Sequence, residues 1–313
     1  MLVLGLDFGG TKLAAGVGRV GSGALLATRR RPTDVAAGAR GDLDAMLAMS
    51  HDLLAAVGGA GELAAVGVCF GGQVDAARGV VIVQMHVPGW EMFPLRDALA
   101  AHFGVPAAVE NDGNAAALAE HRFGAGRGRP SLLYLTVSTG VGGGLVLDGR
   151  IFEGAHGLAG EIGHMLVASG GPPCPCGRRG CLEAVAAGPA IARAARAALA
   201  AAPERQSALR ALPTITAKDV AEAAAVGDGV AREVLDVALD YLGLGVANAA
   251  VLLDPGCVVL GGGVTRMGEP LFARVRGAVQ ARVFAPCDVL PAQLGDDVGI
   301  WGGIAVAPGV TAD

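Results

Sequence analysis

The sequence predicts an α/β fold of two related domains that face each other across a cleft, and three observations support this prediction. An apolar segment, a glycine-rich turn and a second apolar segment follow one another within residues 2–17, and the same succession returns within residues 132–147. Segments with the apolar spacing of helices separate the predicted strands. The chain has 313 residues, 52% of them hydrophobic, which is enough core material for two domains. A repeated strand–turn–strand unit indicates that the domains are related in structure.

The first domain is predicted at residues 1–113, with a closing helix at about residues 299–313 that packs back on it. A tight turn joins the first two strands, so we expect them to be antiparallel. The periodicity predicts strands at residues 2–6, 13–17, 25–28, 64–70 and 107–109, and helices at residues 42–57 and 95–103.

The second domain is predicted at residues 114–298 and is richer in helix. Its strands are expected at residues 132–137, 145–147 and 257–260, and its helices at residues 115–123, 184–201, 216–226 and 228–253. Thr216 is expected to cap the helix that follows it, because a threonine hydroxyl accepts hydrogen bonds from the N–H groups of a first helical turn.

Composition and charge argue against several classes of protein. The net charge is −5 and no basic stripe alternates with aromatic residues, so we expect no nucleic-acid partner. No basic region precedes the first apolar residues, and no apolar run reaches membrane-spanning length, so we expect no membrane partner. Three of the six cysteines lie together at residues 174–181, which is typical of a metal site in a reducing compartment. The sequence therefore predicts a cytoplasmic protein.

A loop rich in glycine and proline has the residue types of a zinc site. The spacing is H-x9-C-x-C-x4-C, and the four residues are His164, Cys174, Cys176 and Cys181. Three thiolates and an imidazole complete a tetrahedral zinc site and leave no position for a catalytic water, so the zinc would be structural. Glu161 and Glu183 flank the loop, and the metal would brace these two carboxylates. Three free buried thiols are the alternative interpretation.

Two glycine-rich turns are candidates for phosphate binding. They are residues 7–12, DFGGTK, and residues 138–144, STGVGGG, and a glycine triplet at residues 261–263 accompanies them. Glycine leaves backbone N–H groups open to phosphate oxygens. Asp7 could hold Mg²⁺ through water, and Lys12 could neutralise phosphate charge. The alternative is a pair of hairpin turns that need glycine only for their geometry, since neither turn has the sequence of a P-loop or a Rossmann fingerprint.

Asp112 is the candidate catalytic base. It lies in the segment 110–114, ENDGN, where a predicted strand ends and a helix begins. Phosphoryl transfer needs alignment, charge neutralisation and a base that receives the hydroxyl proton. Asn111 would hold a neighbouring hydroxyl. The alternative is that these residues cap the helix, which is the commonest role of aspartate and asparagine at a helix start.

Four segments together resemble the ROK family of bacterial sugar kinases and repressors, within the actin-like, hexokinase-like ATPases. They are DFGGTK at 7–12, ENDGNA at 110–115, TGVGGG at 139–144 and the loop at 160–183, and the resemblance covers essentially the whole chain. It implies two actin-like (ribonuclease H-like) domains and ATP-dependent transfer of the γ-phosphoryl group to a hexose, with the 6-hydroxyl of glucose as the expected acceptor. Proteins that resemble this chain are usually homodimers or homotetramers.

The resemblance also implies roles for individual residues. Asp112 matches the family's catalytic base, and one ring nitrogen of His164 would bind zinc while the other contacts a sugar hydroxyl. The sugar ligands would be Asn111, Glu161, His164 and Glu183, and Gly72 is predicted as a further substrate-binding residue. The nucleotide would be bound by Asp7, Gly9, Gly10, Thr11, Lys12, Thr139, Gly140, Gly261, Gly262 and Gly263.

Two departures from the family pattern leave the acceptor open. His86 stands where family glucokinases often have asparagine, and residues 70–73 read FGGQ, which differs from the usual glucokinase segment. N-acetylglucosamine, N-acetylmannosamine, mannose and fructose are therefore alternative acceptors, and polyphosphate is an alternative phosphoryl donor. A sugar-sensing regulator is a weaker alternative, because the DNA-binding members of the family need an extension before the first phosphate turn.

Overall fold

The structure, a computed structural model, describes residues 1–19, 23–58 and 60–310. It divides into two units. The first contains Met1–Pro130, Gly144–Ala159 and Gln293–Asp313, and the second contains Ser131–Gly143 and Gly160–Ala292. These boundaries differ from the predicted division at residue 113.

Two five-stranded sheets and one two-stranded sheet are present in the described residues. The strands are β1 (Leu2–Phe8), β2 (Lys12–Arg19), β3 (Leu25–Pro32), β4 (Leu63–Phe70), β5 (Gln73–Asp75), β6 (Val80–Val83), β7 (Ala107–Asn111), β8 (Ser131–Val137), β9 (Val141–Leu147), β10 (Arg150–Ile151), β11 (Val258–Gly261) and β12 (Val289–Pro291). The helices are α1 (Gly38–Ala56), α2 (Leu95–Phe103), α3 (Asp112–Phe123), α4 (Leu182–Ala186), α5 (Gly188–Ala201), α6 (Ala217–Ala225), α7 (Gly229–Leu253), α8 (Glu269–Gln280) and α9 (Val298–Val306).

Both five-stranded sheets have the same strand order. The first runs β3-β2-β1-β4-β7 and the second β10-β9-β8-β11-β12, so each places its third, second, first, fourth and fifth strand side by side. In the first sheet β1 is antiparallel to β2 and parallel to β4, and β4 is parallel to β7. In the second, β11 is parallel to both β8 and β12. The predicted fold class of two related α/β halves is confirmed.

Helix α9 packs on the first sheet and ends at Val306. Glycines allow very close contact, since a Cβ on Gly67 in β4 would lie 1.9 Å from the carbonyl oxygen of Gly303. The rings of Phe123 in α3 and Trp301 in α9 lie 4.9 Å apart, which fixes α3 in the first unit. This packing explains why the first unit extends beyond residue 113. The predicted helical end at residues 311–313 lies outside the described residues.

Three local predictions were wrong. The helix predicted at residues 184–201 is two helices, α4 and α5, because Ala187 is extended and Pro189 lies in the first turn of α5. Most of the predicted turn at residues 138–144 is strand, since β9 begins at Val141. The prediction that no apolar run reaches membrane-spanning length was also wrong, because one helix among the described residues, α7, has the length and hydropathy of a membrane span. More than half of its most apolar window is buried, so it is also consistent with a core helix of the second unit.

Candidate active site

The carboxyl ends of parallel strands in the first sheet bring acidic residues together. Asp7 in β1 pairs with Cys69 in β4, and Cys69 pairs with Glu110 in β7. The pKa of Asp7 is raised from 3.8 to about 6, with burial as the largest cause; Lys12 opposes the shift and the charge of Asp112 adds to it. Burial also raises the pKa of the Cys69 thiol well above its ordinary value, so the thiol is neutral and serves as a hydrogen-bond donor to Asp7.

Asn111 and Asp112 form a hydrogen-bonded pair at the start of α3. Asn111, rather than Asp112, is the N-cap of the helix, because its side-chain oxygen accepts hydrogen bonds from the Gly113 and Asn114 N–H groups at 2.9 and 3.4 Å. Its Nδ2 donates to the carbonyl oxygen of Gly72 at 3.0 Å and to Asp112 Oδ1 at 3.1 Å. The Gly113 N–H also donates to Asp112 Oδ1 at 2.9 Å. The carboxylate of Asp112 is thus exposed but held in one orientation.

Glu110 contributes to this arrangement and was missed from the sequence. It is 7% exposed, and its Oε1 accepts hydrogen bonds from the Asn111 N–H at 2.9 Å and from Asn114 Nδ2 at 3.1 Å. Burial raises its pKa, and Glu153 raises it further. Glu110 therefore supports the backbone that presents Asn111. The only sequence signal was its place in the segment ENDGN.

The turn between β1 and β2 consists of residues 9–11, because Asp7 and Lys12 belong to the strands. The Gly9 N–H donates to the Lys12 carbonyl oxygen at 3.0 Å, and Thr33 Oγ1 donates to the Gly9 carbonyl oxygen at 2.9 Å. The ring of His86 packs on the turn, since a Cβ on Gly10 would lie 2.8 Å from its Cδ2 atom. The residue that departs from the glucokinase pattern is therefore placed against a predicted phosphate turn.

The second unit holds a cavity of about 970 Å³ beside the second glycine-rich turn. The turn contributes Ser138 and Thr139, and the glycine triplet contributes Gly263. Most of the remaining wall comes from α5, α6 and the residues that precede them, and sequence reasoning did not assign it to a site. These residues are Gly188, Pro189, Ala192, Arg196, Ile215, Thr216, Ala217, Lys218, Ala221, Glu222, Ala225, Val264, Arg266 and Met267.

Not every predicted glycine lies in the wall of this cavity. Gly261 belongs to β11, and a Cβ on it would lie 2.7 Å from Tyr134 Oη, so its small size serves packing. Gly262 has φ 91°, in the left-handed region, and a Cβ there would lie 2.5 Å from the Val137 carbonyl oxygen. Thr216 caps α6 as predicted, and it forms a reciprocal capping box with Asp219.

The predicted zinc ligands form one cluster in the second unit. The ligand atoms of His164, Cys174, Cys176 and Cys181 all lie within 4.8 Å of one another. Cys176 Sγ and Cys181 Sγ are 3.7 Å apart, and Cys174 Sγ is 3.7 Å from His164 Nδ1. Tetrahedral zinc requires about 3.8 Å between two thiolates and about 3.6 Å between a thiolate and an imidazole nitrogen. The cluster therefore fits zinc in both ligand chemistry and spacing.

The cluster orients His164 and two neighbouring carboxylates. Because Nδ1 of His164 faces the thiols, its Nε2 is left on the side of Glu161, whose Oε2 lies 3.7 Å away. The carboxylate of Glu183 has its Oε1 3.9 Å from Cys174 Sγ, and its Oε2 accepts a hydrogen bond from the Val141 N–H at 3.0 Å. The second unit thus brings Glu161, His164 and Glu183 together around this cluster. The residues Asp7, Gly72, Asn111 and Asp112 belong to the first unit.

Comparison with known proteins agrees with this geometry. The chain is 34% identical to a glucokinase of Streptomyces coelicolor over 98% of this chain and 97% of that protein. It is 33% identical to an N-acetylmannosamine kinase of Escherichia coli over 99% of both chains. The crystal structure of a ROK family glucokinase from Streptomyces griseus in complex with glucose and AMPPNP has a TM-score of 0.80 and 35% identity, covering 98% of this chain and 99% of that one. The ROK family model matches residues 3–310, and the chain belongs to the ROK family.

Proposed function

We propose that the protein is an ATP-dependent hexose kinase that transfers the γ-phosphoryl group to the 6-hydroxyl of glucose. The observation that carries the proposal is the exposed carboxylate of Asp112, which Asn111 and the Gly113 N–H hold in a fixed orientation. A base that receives a hydroxyl proton needs this accessibility and this restraint. The glucokinases among the relatives support the same reaction and favour glucose as the acceptor.

In the proposed mechanism Asp112 accepts the proton of the sugar hydroxyl while the hydroxyl oxygen attacks the γ-phosphorus. The bond between that phosphorus and the bridging oxygen breaks, and ADP leaves. Asp7 would hold Mg²⁺, which neutralises phosphate charge when it is bound. Lys12 adds a positive charge at the same turn, where its Nζ lies 3.3 Å from the carbonyl oxygen of Asp296. In the first unit, we assign the contacts with the phosphates of ATP to the turn at residues 9–11.

The cavity of the second unit is the proposed site of the nucleoside part of ATP. Its wall is largely apolar, with Pro189, Ile215, Val264 and Met267 among its residues. A purine ring is matched by such a surface, and Arg196, Lys218 and Arg266 in the same wall add positive charge that suits phosphate. Thr139 and Gly263 lie at the same cavity and are the proposed phosphate contacts of this unit. The Streptomyces griseus relative, whose crystal structure contains AMPPNP, supports ATP over polyphosphate as the donor.

The proposed sugar ligands in the second unit are Glu161, His164 and Glu183. The proposed sugar ligand in the first unit is Asn111. Zinc held by His164 and the three cysteines would fix the loop and the tautomer of His164, so that Nε2 carries the proton and donates to a sugar hydroxyl. The role of zinc in this proposal is structural, because the cluster supplies four ligands and leaves no open position.

N-acetylmannosamine is the second candidate acceptor. An N-acetylmannosamine kinase is similar to the chain over nearly its full length, and His86 replaces the asparagine that the glucokinase pattern leads us to expect. A bulky imidazole against Gly10 changes the surface beside the phosphate turn. Glucose, mannose, fructose, N-acetylglucosamine and N-acetylmannosamine should therefore be compared with ATP as donor in a coupled assay of ADP release. The highest kcat/KM identifies the acceptor, and activity with none of them would refute the proposal.

The test of the base is the isosteric variant Asp112→Asn. Its kcat should fall by about 10²- to 10⁴-fold, the usual contribution of a general base, while its thermal stability stays near that of the wild type. Asp148→Asn is a matched control, because Asp148 is exposed, remote from α3 in sequence and in a left-handed conformation that asparagine tolerates. Full activity in Asp112→Asn would exclude Asp112 as the base.

We further propose that the enzyme works in the cytoplasm as a homodimer or homotetramer. A cluster of three reduced cysteines with one histidine suits a reducing compartment. Val237, Val251 and Leu252 expose apolar surface on α7, which an interface between copies would cover. Light scattering after size-exclusion chromatography gives the oligomeric state, and a monomer at micromolar concentration would contradict this part of the proposal.

A further inference from the structure

The side chain of Glu183 reaches from α4 to the second glycine-rich turn. Its Oε2 accepts a hydrogen bond from the Val141 N–H at 3.0 Å, and a Cβ on Gly140 would lie 2.6 Å from the same oxygen. The carboxylate therefore lies directly against residues 140 and 141. Thr139, the preceding residue, lies in the wall of the cavity.

The rest of the turn is held by the backbone of the same region. The Ser138 N–H donates to the Gly140 carbonyl oxygen, and the Gly188 N–H donates to the Ser138 carbonyl oxygen, both at 2.8 Å. Gly188 is the first residue of α5 and follows α4 by two residues. The α4–α5 segment thus holds the turn at both ends. The bond from Glu183 is the one among these that a side-chain substitution can remove.

The zinc cluster fixes the position from which Glu183 acts. Cys181 is the N-cap of α4, and Glu183 lies in the first turn of that helix. Glu161 provides a comparison, because it is also a proposed sugar ligand of the zinc loop. Its carboxylate lies 3.7 Å from His164 Nε2, on the imidazole side of the cluster. Glu183 therefore differs from Glu161 in that its carboxylate forms a hydrogen bond to the second glycine-rich turn.

We propose that Glu183 positions the turn at residues 138–141 for the phosphates of the nucleotide, independently of any sugar. The inference rests on the proposed kinase function. One oxygen of the carboxylate fixes the Val141 N–H, and the other lies 3.9 Å from Cys174 Sγ. Without the Glu183 carboxylate, the Val141 N–H must bond to water and the turn gains conformational freedom. This freedom weakens a phosphate site made of backbone donors.

The test is the affinity for AMPPNP with Mg²⁺ in the absence of sugar, measured by isothermal titration calorimetry. In Glu183→Ala the Kd should rise about fivefold, the equivalent of one ordinary hydrogen bond. In Glu183→Gln it should stay within about twofold of the wild type, because the amide oxygen can still accept from the Val141 N–H. Glu161→Ala should also stay within about twofold, although its sugar KM should rise.

The outcomes separate this inference from the proposed function. An unchanged Kd in Glu183→Ala overturns the inference, and so does a loss in Glu183→Gln or Glu161→Ala as large as that in Glu183→Ala. A wild-type protein that binds no AMPPNP refutes the proposed function itself.

A second variant covers the case in which Glu183→Ala loses zinc or its fold, as shown by metal content and thermal unfolding. In Gly140→Ala the new Cβ displaces the carboxylate from the Val141 N–H, so a similar loss of affinity is expected. Full affinity in Gly140→Ala overturns the inference.

Discussion

Replacing Asp7 with asparagine should stabilise the protein at neutral pH while it removes the proposed Mg²⁺ contact. Asp7 is partly buried, and an added side chain at Gly299, at the start of α9, would collide with its carboxylate. Burial raises the pKa of Asp7 from 3.8 to about 6, which means that folding favours the protonated form. Asparagine has nearly the same shape and carries no charge at any pH. The variant therefore isolates the cost of the buried charge.

The sign and size of the effect follow from linkage. Because the pKa is higher in the folded chain, the contribution of Asp7 to stability is greatest below pH 3.8 and is lost as the pH rises through about 6. A shift of about two pKa units corresponds to about 3 kcal/mol. About half of this change falls between pH 5 and pH 8, by the same relation. The stability of Asp7→Asn relative to the wild type should thus increase by roughly 1–2 kcal/mol over this range.

Tryptophan fluorescence during urea unfolding measures this difference in stability for the structural unit that contains Asp7. Both tryptophans of the chain, Trp90 and Trp301, belong to the first unit, which also contains Asp7. Magnesium-free buffer prevents stabilisation of the wild type by a bound cation. Asp148→Asn serves as the control for loss of an exposed carboxylate. A stability difference between Asp7→Asn and the wild type that is independent of pH would refute the reasoning.

Two further predictions concern the metal and the core. Metal analysis should find one zinc per chain. The variant Cys181→Ser should lose the zinc and have a lower Tm, whereas Cys287→Ser, outside the cluster, should keep the zinc. A wild-type protein that is stable and active without metal would contradict the structural role of zinc. Gly67→Ala should destabilise the first unit by about 1–3 kcal/mol or more, because its Cβ would lie 1.9 Å from the Gly303 carbonyl oxygen. Gly61→Ala should not destabilise the first unit, because its Cβ meets open space. Equal unfolding curves for the two variants would disprove this account.

Local signals in the sequence were sufficient for much of the fold. The helix predicted at residues 95–103 has the same limits in the structure, because Pro94 precedes it and Gly104 ends it in a left-handed conformation. The cap at Thr216 is confirmed, and His164 and the three cysteines lie together as the sequence predicts. Each of these features depends on residues that are close together in the chain, so spacing and residue type determine them.

Features that depend on distant segments could not be predicted. The wall of the cavity combines residues near 138, 190, 220 and 265, which only the packing of the second unit brings together. The sequence of the β9 glycines is typical of a phosphate turn. Position 143, however, needs glycine for packing, because a Cβ there would lie 2.8 Å from the carbonyl oxygens of Gly160 and Tyr134. A glycine needed for close packing and a glycine needed for ligand access have the same appearance in a sequence.

The glycine contacts between α9 and the first sheet have a consequence for biosynthesis. β1, β4 and β7 emerge from the ribosome early, but the helix that covers one face of their sheet is made after the entire second unit. Until then the backbone around Gly5 and Gly67 lacks its partner, so the earlier unit cannot complete its core first. The usual order of domain folding, from the N-terminus onward, would be reversed here. A chain truncated before Val298 and released from the ribosome should therefore protect the second unit from protease while the first unit remains sensitive.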